Sequence, residues 1–181
     1  MNLLRWLLGK KPHSKVKRNT YPLWYVYTNT DIMNESRWEV TGITSLPAFF
    51  RALPWLVPNK SVLCFEGGEW PDRAQNVLDA ISLNMELEAR PGYEGYYLSI
   101  TEEHMAKLAE LAENSAEPEI AIHLFMLPGD EKGILEWYDL PDDPIYISET
   151  IEQQSVAHFA EAIGASYRRI TFSNDCTLID V

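Results

Sequence analysis

The residues best suited to chemistry gather around His123. It stands in the apolar run Glu119-Ile120-Ala121-Ile122-His123-Leu124-Phe125-Met126-Leu127, which reads as a strand. Pro128-Gly129-Asp130-Glu131-Lys132-Gly133 reads as a turn, and Ile134-Leu135-Glu136-Trp137-Tyr138-Asp139 as the returning strand. A turn centred between Asp130 and Glu131 sets His123 opposite Tyr138 and Phe125 opposite Glu136. His123, Glu136 and Tyr138 then share one sheet face. An imidazole beside a carboxylate and a phenol is an acid–base set. A slip of one residue scatters it to both faces. The plainer expectation is a structural histidine satisfied by one hydrogen bond. Cys64, within Ser61-Val62-Leu63-Cys64-Phe65, is a candidate nucleophile for His123 and an acid. No local signature accompanies it, and an apolar run suits a buried, reduced thiol.

Two further clusters could hold a ligand. Glu66-Gly67-Gly68-Glu69-Trp70-Pro71-Asp72 joins the end of a strand to the start of a helix, a place where ligands bind in open α/β sheets. The segment has no lysine, and Glu66, Glu69 and Asp72 would repel phosphate, so it is neither a P-loop nor a dinucleotide fingerprint. A tight turn whose carboxylates favour the helix dipole explains it equally well. Asp139, Asp142 and Asp143 are the candidate oxygen ligands for a hard cation. They lack the alternation of an EF-hand loop, and Asp-Pro is ordinary turn chemistry. No histidine pair has H-x-x-x-H spacing, and neither Cys64 nor Cys176 sits in a C-x-x-C. Neither a resident metal nor a cofactor is expected.

Charge is the stronger functional signal. The chain of 181 residues carries 15 basic and 27 acidic side chains, a net of −12. Residues 1–18 hold six of the basic groups and no acid, which leaves nine bases against 27 acids and a net of −18 over residues 19–181. We therefore divide the chain into a basic amphipathic segment, 1–18, and a single acidic domain, 19–181. So acidic a body repels nucleic acid and suits a protein partner with a basic surface. The contact surface is expected on the helix face carrying Glu102, Glu103, Glu110 and Glu113, or on the loop carrying Glu66, Glu69, Trp70 and Asp72. Exposed aromatic rings among the acids would add anchors. In the N-terminal segment, Leu3, Leu4, Leu7 and Leu8 share a helical face, with Trp6 beside it. The segment is too short to span a bilayer, and Arg5 interrupts any signal-peptide core. Leu3, Leu4, Trp6, Leu7 and Leu8 could instead touch a membrane surface. A cytoplasmic location follows from these readings.

The elements that must position these residues alternate. Strands are expected at 21–27, 37–43, 62–65 and 95–100, and the antiparallel meander around residues 119–148 supplies three more. Tyr167–Phe172 adds an edge strand. Helices follow Ser45, Pro71, Thr101 and a capping box at Thr150–Gln153; Pro54 should end or kink the first. Gly164 closes the last as its C-cap. The fold class is α/β to α+β, with a mixed sheet of about six or seven strands and three or four packed helices.

Three functions are compatible with this reading. The first is a non-enzymatic protein-binding domain, an immunity-like or adaptor protein for a basic partner. In size and charge the chain is similar to immunity proteins that neutralise toxins, although no residue motif carries that likeness. The second is a small, hydrolase-like enzyme using His123 with a carboxylate. The third is a peripheral membrane adaptor working through residues 1–18.

Overall fold

Alternation of apolar and polar residues along each strand builds a sheet with two unlike faces. The structure, a computed structural model, describes residues 32, 35–57, 61–66, 71–83, 95–114, 123–127, 133–172 and 178–180. Its elements run β1 (Arg37–Thr41), α1 (Leu46–Leu56), β2 (Val62–Glu66), α2 (Asp72–Ile81), β3 (Gly95–Ser99), α3 (Glu102–Ala112), β4 (His123–Leu127), β5 (Leu135–Trp137), β6 (Ile145–Ser148), α4 (Gln153–Ala162), β7 (Ser166–Phe172) and β8 (Leu178–Asp180). The eight strands form one sheet in the order β3-β2-β4-β5-β6-β1-β7-β8.

Mixed α/β structure is thus present, with four helices and a sheet one strand wider than expected. Every strand pairing is antiparallel. The strand–helix alternation does not pair parallel strands here: α2 returns the chain antiparallel beside β2, while α3 and α4 carry it to a parallel position with one antiparallel strand, β2 or β1, in between, and α1 crosses several strands. The meander β4-β5-β6 stands in the middle of the sheet. β7 is not an edge strand: it lies between β1 and β8. The expected strand at 21–27 falls outside the described residues.

Inward-facing side chains of six strands make one apolar face: Leu63 and Phe65, Leu98, Leu124 and Met126, Leu135 and Trp137, Ile145 and Ile147, and Trp38 and Val40. Helix α1 brings Phe49, Phe50 and Leu53 onto it, with Phe49 and Trp137 ring centroids 5.0 Å apart. Helices α3 and α4 add Met105, Leu108, Val156 and Phe159. Each such side chain withdrawn from water contributes roughly 1.5–3 kcal/mol.

Caps set the helix boundaries. The Ser45 side chain accepts from the Ala48 amide at 3.2 Å, and Thr101 from the His104 amide at 3.1 Å. Gly164 closes α4 at φ 68°, a conformation that disfavours any side chain. Two boundary expectations change. Pro54 does not end α1, which continues through it to Leu56: the proline removes the amide that would bond the Phe50 carbonyl, and burial of Phe49, Phe50, Leu53 and Leu56 holds the helix despite that loss. Thr150 does not cap α4, which starts at Gln153. Its hydroxyl lies 2.9 Å from that of Ser148, within the turn before the helix.

Candidate functional site

The face of the sheet turned away from the helices carries the ionisable side chains. Strand register lines up Arg168, Glu39, Tyr146, Glu136, Phe125, Cys64 and Tyr97 in one row across seven strands. Glu39 and Glu136 are buried, as is Arg37 two residues before Glu39. Burying charge is costly unless every group is paired. Arg37 donates to Glu39 at 2.7 Å, and Arg168 donates to the other Glu39 oxygen at 2.8 and 3.1 Å. The Arg37 guanidinium also lies 4.9 Å from the centroid of the Tyr146 ring. Burial pushes the Tyr146 phenol up from its ordinary value, and the neighbouring Glu39 carboxylate adds to that.

The hairpin register matches the sequence expectation: Phe125 pairs with Glu136. His123, Phe125, Glu136 and Tyr138 therefore share this face. Glu136 is 0% exposed. One of its oxygens accepts the Ile32 amide at 3.1 Å, and the other accepts the Tyr138 hydroxyl at 3.4 Å. The His123 ring meets the Tyr138 ring edge-on, centroids 5.7 Å apart. Its Nδ1 accepts the Asp139 amide at 3.2 Å. The Asp139 carboxylate lies 3.7 Å from the same nitrogen. The hydrogen bond from the amide holds a turn in which Asp139 adopts φ 43°, an uncommon conformation for a residue with a side chain. Glu66, also buried, stands directly across from His123 in the β2–β4 pairing.

Cys64 lies one position along from this cluster, across from Phe125 and Tyr97. Burial pushes its thiol up to about 12, with a hydrogen bond to Tyr97 opposing only part of that rise. Burial likewise raises the Tyr97 phenol, and Cys64 beside it adds to the effect. Such a thiol stays protonated at neutral pH, the opposite of an activated nucleophile.

The other sequence candidates separate. Glu102, Glu103, Glu110 and Glu113 are exposed on α3, and Asp72 is exposed in the first turn of α2. Lys107 pairs with Glu103 at 2.7 Å and holds that carboxyl below its usual range; Arg51 of α1 pairs with Glu113. Glu69 and Trp70 lie outside the described residues, as do Leu3, Leu4, Trp6, Leu7 and Leu8. Asp139 and Asp142 are exposed and Asp143 is half-buried. Among the described residues no group of three or more His, Cys, Asp or Glu side chains is placed to hold a metal ion.

Sequence reasoning missed two features. One is the Arg37–Glu39–Arg168 cluster, whose signal was the i, i+2 spacing of Arg37 and Glu39 around the core residue Trp38. The other is Trp55, which is 57% exposed and is the one exposed large hydrophobic side chain among the described residues. Its position three residues past the buried Ala52 gave little warning. An open groove of about 380 Å³ between α2 and α3 is lined by Val77, Ile81 and Leu111, with Arg73, Lys107 and Glu110 at its rim. No described helix is long and apolar enough to cross a membrane. No family model matches the chain, nor does any curated protein or solved structure.

Proposed function

We propose that this domain works by binding a basic protein partner, with the acidic outer surface of its helices as the contact. The observation that carries this reading is the imbalance of exposed charge. Twelve described acidic side chains are exposed against five basic ones. Four of those five, Arg51, Lys107, Arg168 and Arg169, are already engaged by Glu113, Glu103, Glu39 and Glu149. Among the described residues, exposed negative charge is therefore in surplus, and it would steer a basic partner and make association salt-sensitive. An immunity-like or adaptor role is the finer form of the same proposal.

An enzymatic reading centred on His123 has less support. Its Nδ1 is committed to the Asp139 amide, Glu136 is enclosed and hydrogen-bonded, and the Cys64 thiol is held protonated. These groups are occupied in holding the fold.

The test is affinity capture from host extract at low and high salt, using the native protein and a Glu102→Gln, Glu103→Gln, Glu110→Gln, Glu113→Gln variant. A basic protein retained by the native domain at low salt, and lost with the variant or at high salt, is the expected result. Equal capture by both forms would overturn the assignment of the surface.

A further inference from the structure

We propose that Trp55 is the anchor of the contact surface and that it receives an arginine or lysine side chain of the partner. This inference rests on the binding function proposed above and names its central residue.

Trp55 lies in the last turn of α1, and its outer position there exposes an indole that could have been buried. The ring is braced on one side by His158 of α4, at 5.1 Å between centroids and 44° between planes. Bracing restricts the indole before any partner arrives, so little side-chain entropy remains to be lost.

The surroundings favour a cation. Trp presents the best ring face for a cation–π contact. Elsewhere the fold uses such contacts internally, with Arg37 over Tyr146 and Arg169 over Trp38. Trp55 has a candidate of its own in Arg51, one helical turn earlier. Arg51 is instead drawn to Glu113 of α3. The carbonyl end of α1 adds partial negative charge beside the indole, and its last turn contains no basic residue to offset it. Glu161, one turn beyond His158 on α4, is exposed on the flanking helix. An exposed aromatic ring, a helix C-terminus without a cation and acids on both neighbouring helices together fit a guanidinium or ammonium group.

The probe is a short poly-arginine peptide at low ionic strength. Affinity is measured by calorimetry and the Trp55 indole N–H by NMR, with sedimentation mass recorded in parallel. In the native protein the peptide should shift the Trp55 resonance. Trp55→Leu, which keeps an apolar side chain but no ring, should weaken binding roughly three- to tenfold. Trp55→Phe should lose less. Unchanged affinity in Trp55→Leu, together with loss of binding in the four-fold Glu→Gln variant, overturns Trp55 as anchor and leaves the acidic-surface function standing. Absence of peptide binding to the native protein overturns both. A fall in sedimentation mass on Trp55→Leu without a change in peptide affinity would mean that a second copy of the chain covers Trp55, and would also overturn the proposal.

Discussion

The two faces of the sheet are similarly buried at their centres yet are held by different physics. On the helix-covered face, Leu63, Phe65, Leu124, Leu135, Trp137 and Ile147 meet the rings and branches of α1, α3 and α4. Attraction there is non-directional, and shape and volume decide it. On the opposite face, Arg37, Glu39, Glu66 and Glu136 are buried beside a small apolar group of Cys64, Tyr97 and Phe125. Those charges depend on direction: Glu39 is forked between two arginines, and Glu136 between a backbone amide and a phenol. The contrast shows that a buried constellation of acids, an imidazole and a thiol need not be a reaction centre. Both carboxylate oxygens of Glu39 and of Glu136 are already engaged within the fold. Among the described residues, exposed acids outnumber exposed bases on the helices and the connecting turns.

The largest effect should come from the apolar face. Trp137→Ala removes a wholly buried ring and the indole donor bonded to the Asp143 carbonyl at 2.9 Å. It should cost about 3–5 kcal/mol by denaturant titration. A loss below 1 kcal/mol would mean that this face is less tightly packed than its burial implies.

Next comes the charged face. Glu39→Ala strands the buried Arg37 and should cost about 3 kcal/mol. Arg168→Ala removes the partner that is 53% exposed and should cost under about 1 kcal/mol. Equal losses from the two would show that the cluster is held by Arg168 rather than by burial of Arg37.

A third effect is confined to alkaline pH. The Cys64 thiol ionises at 9.0 when free and is pushed up to about 12 in the fold. The native state thus holds the proton more tightly than the unfolded chain. This contribution is complete below pH 9 and is lost as the pH rises toward 12. Tyr97 shifts in the same direction. Stability measured across that range should fall less steeply in Cys64→Ala than in the native protein; identical slopes would contradict the assignment.

The smallest effect on stability belongs to the outer surface. Each Glu→Gln change at positions 102, 103, 110 and 113 should alter stability by no more than about 0.5 kcal/mol. A thermal shift larger than that would identify these acids as structural, and the contrast between a structural sheet face and a binding helix face would fail.

Much of the frame was legible in the sequence. Period-2 alternation fixed which residues of β4 and β5 share a face, and the length of the polar turn fixed their register, so Phe125 opposite Glu136 could be read directly. Ser45, Thr101 and Gly164 announced helix ends because a cap is a local bond between near neighbours. Local chemistry failed where it had competition: burial of Phe50, Leu53 and Leu56 carries α1 through Pro54, and Thr150 found Ser148 instead of the helix. The lateral order of the strands was not legible, since β1 pairs with β6 and β7, more than a hundred residues away.

The sequence by itself determined the acidic balance, the segregated basic terminus, the amphipathic faces and the meander, all properties of composition or of short-range periodicity. Only the tertiary structure decided what the polar residues do. Pairing of Glu39 with Arg168, of Glu136 with the Ile32 amide and of Arg51 with Glu113 joins residues distant along the chain. Whether a charged group is spent inside or offered to a partner depends on those distances, and the depth at which Cys64 sits and the angle at which Trp55 emerges depend on the packing of whole elements.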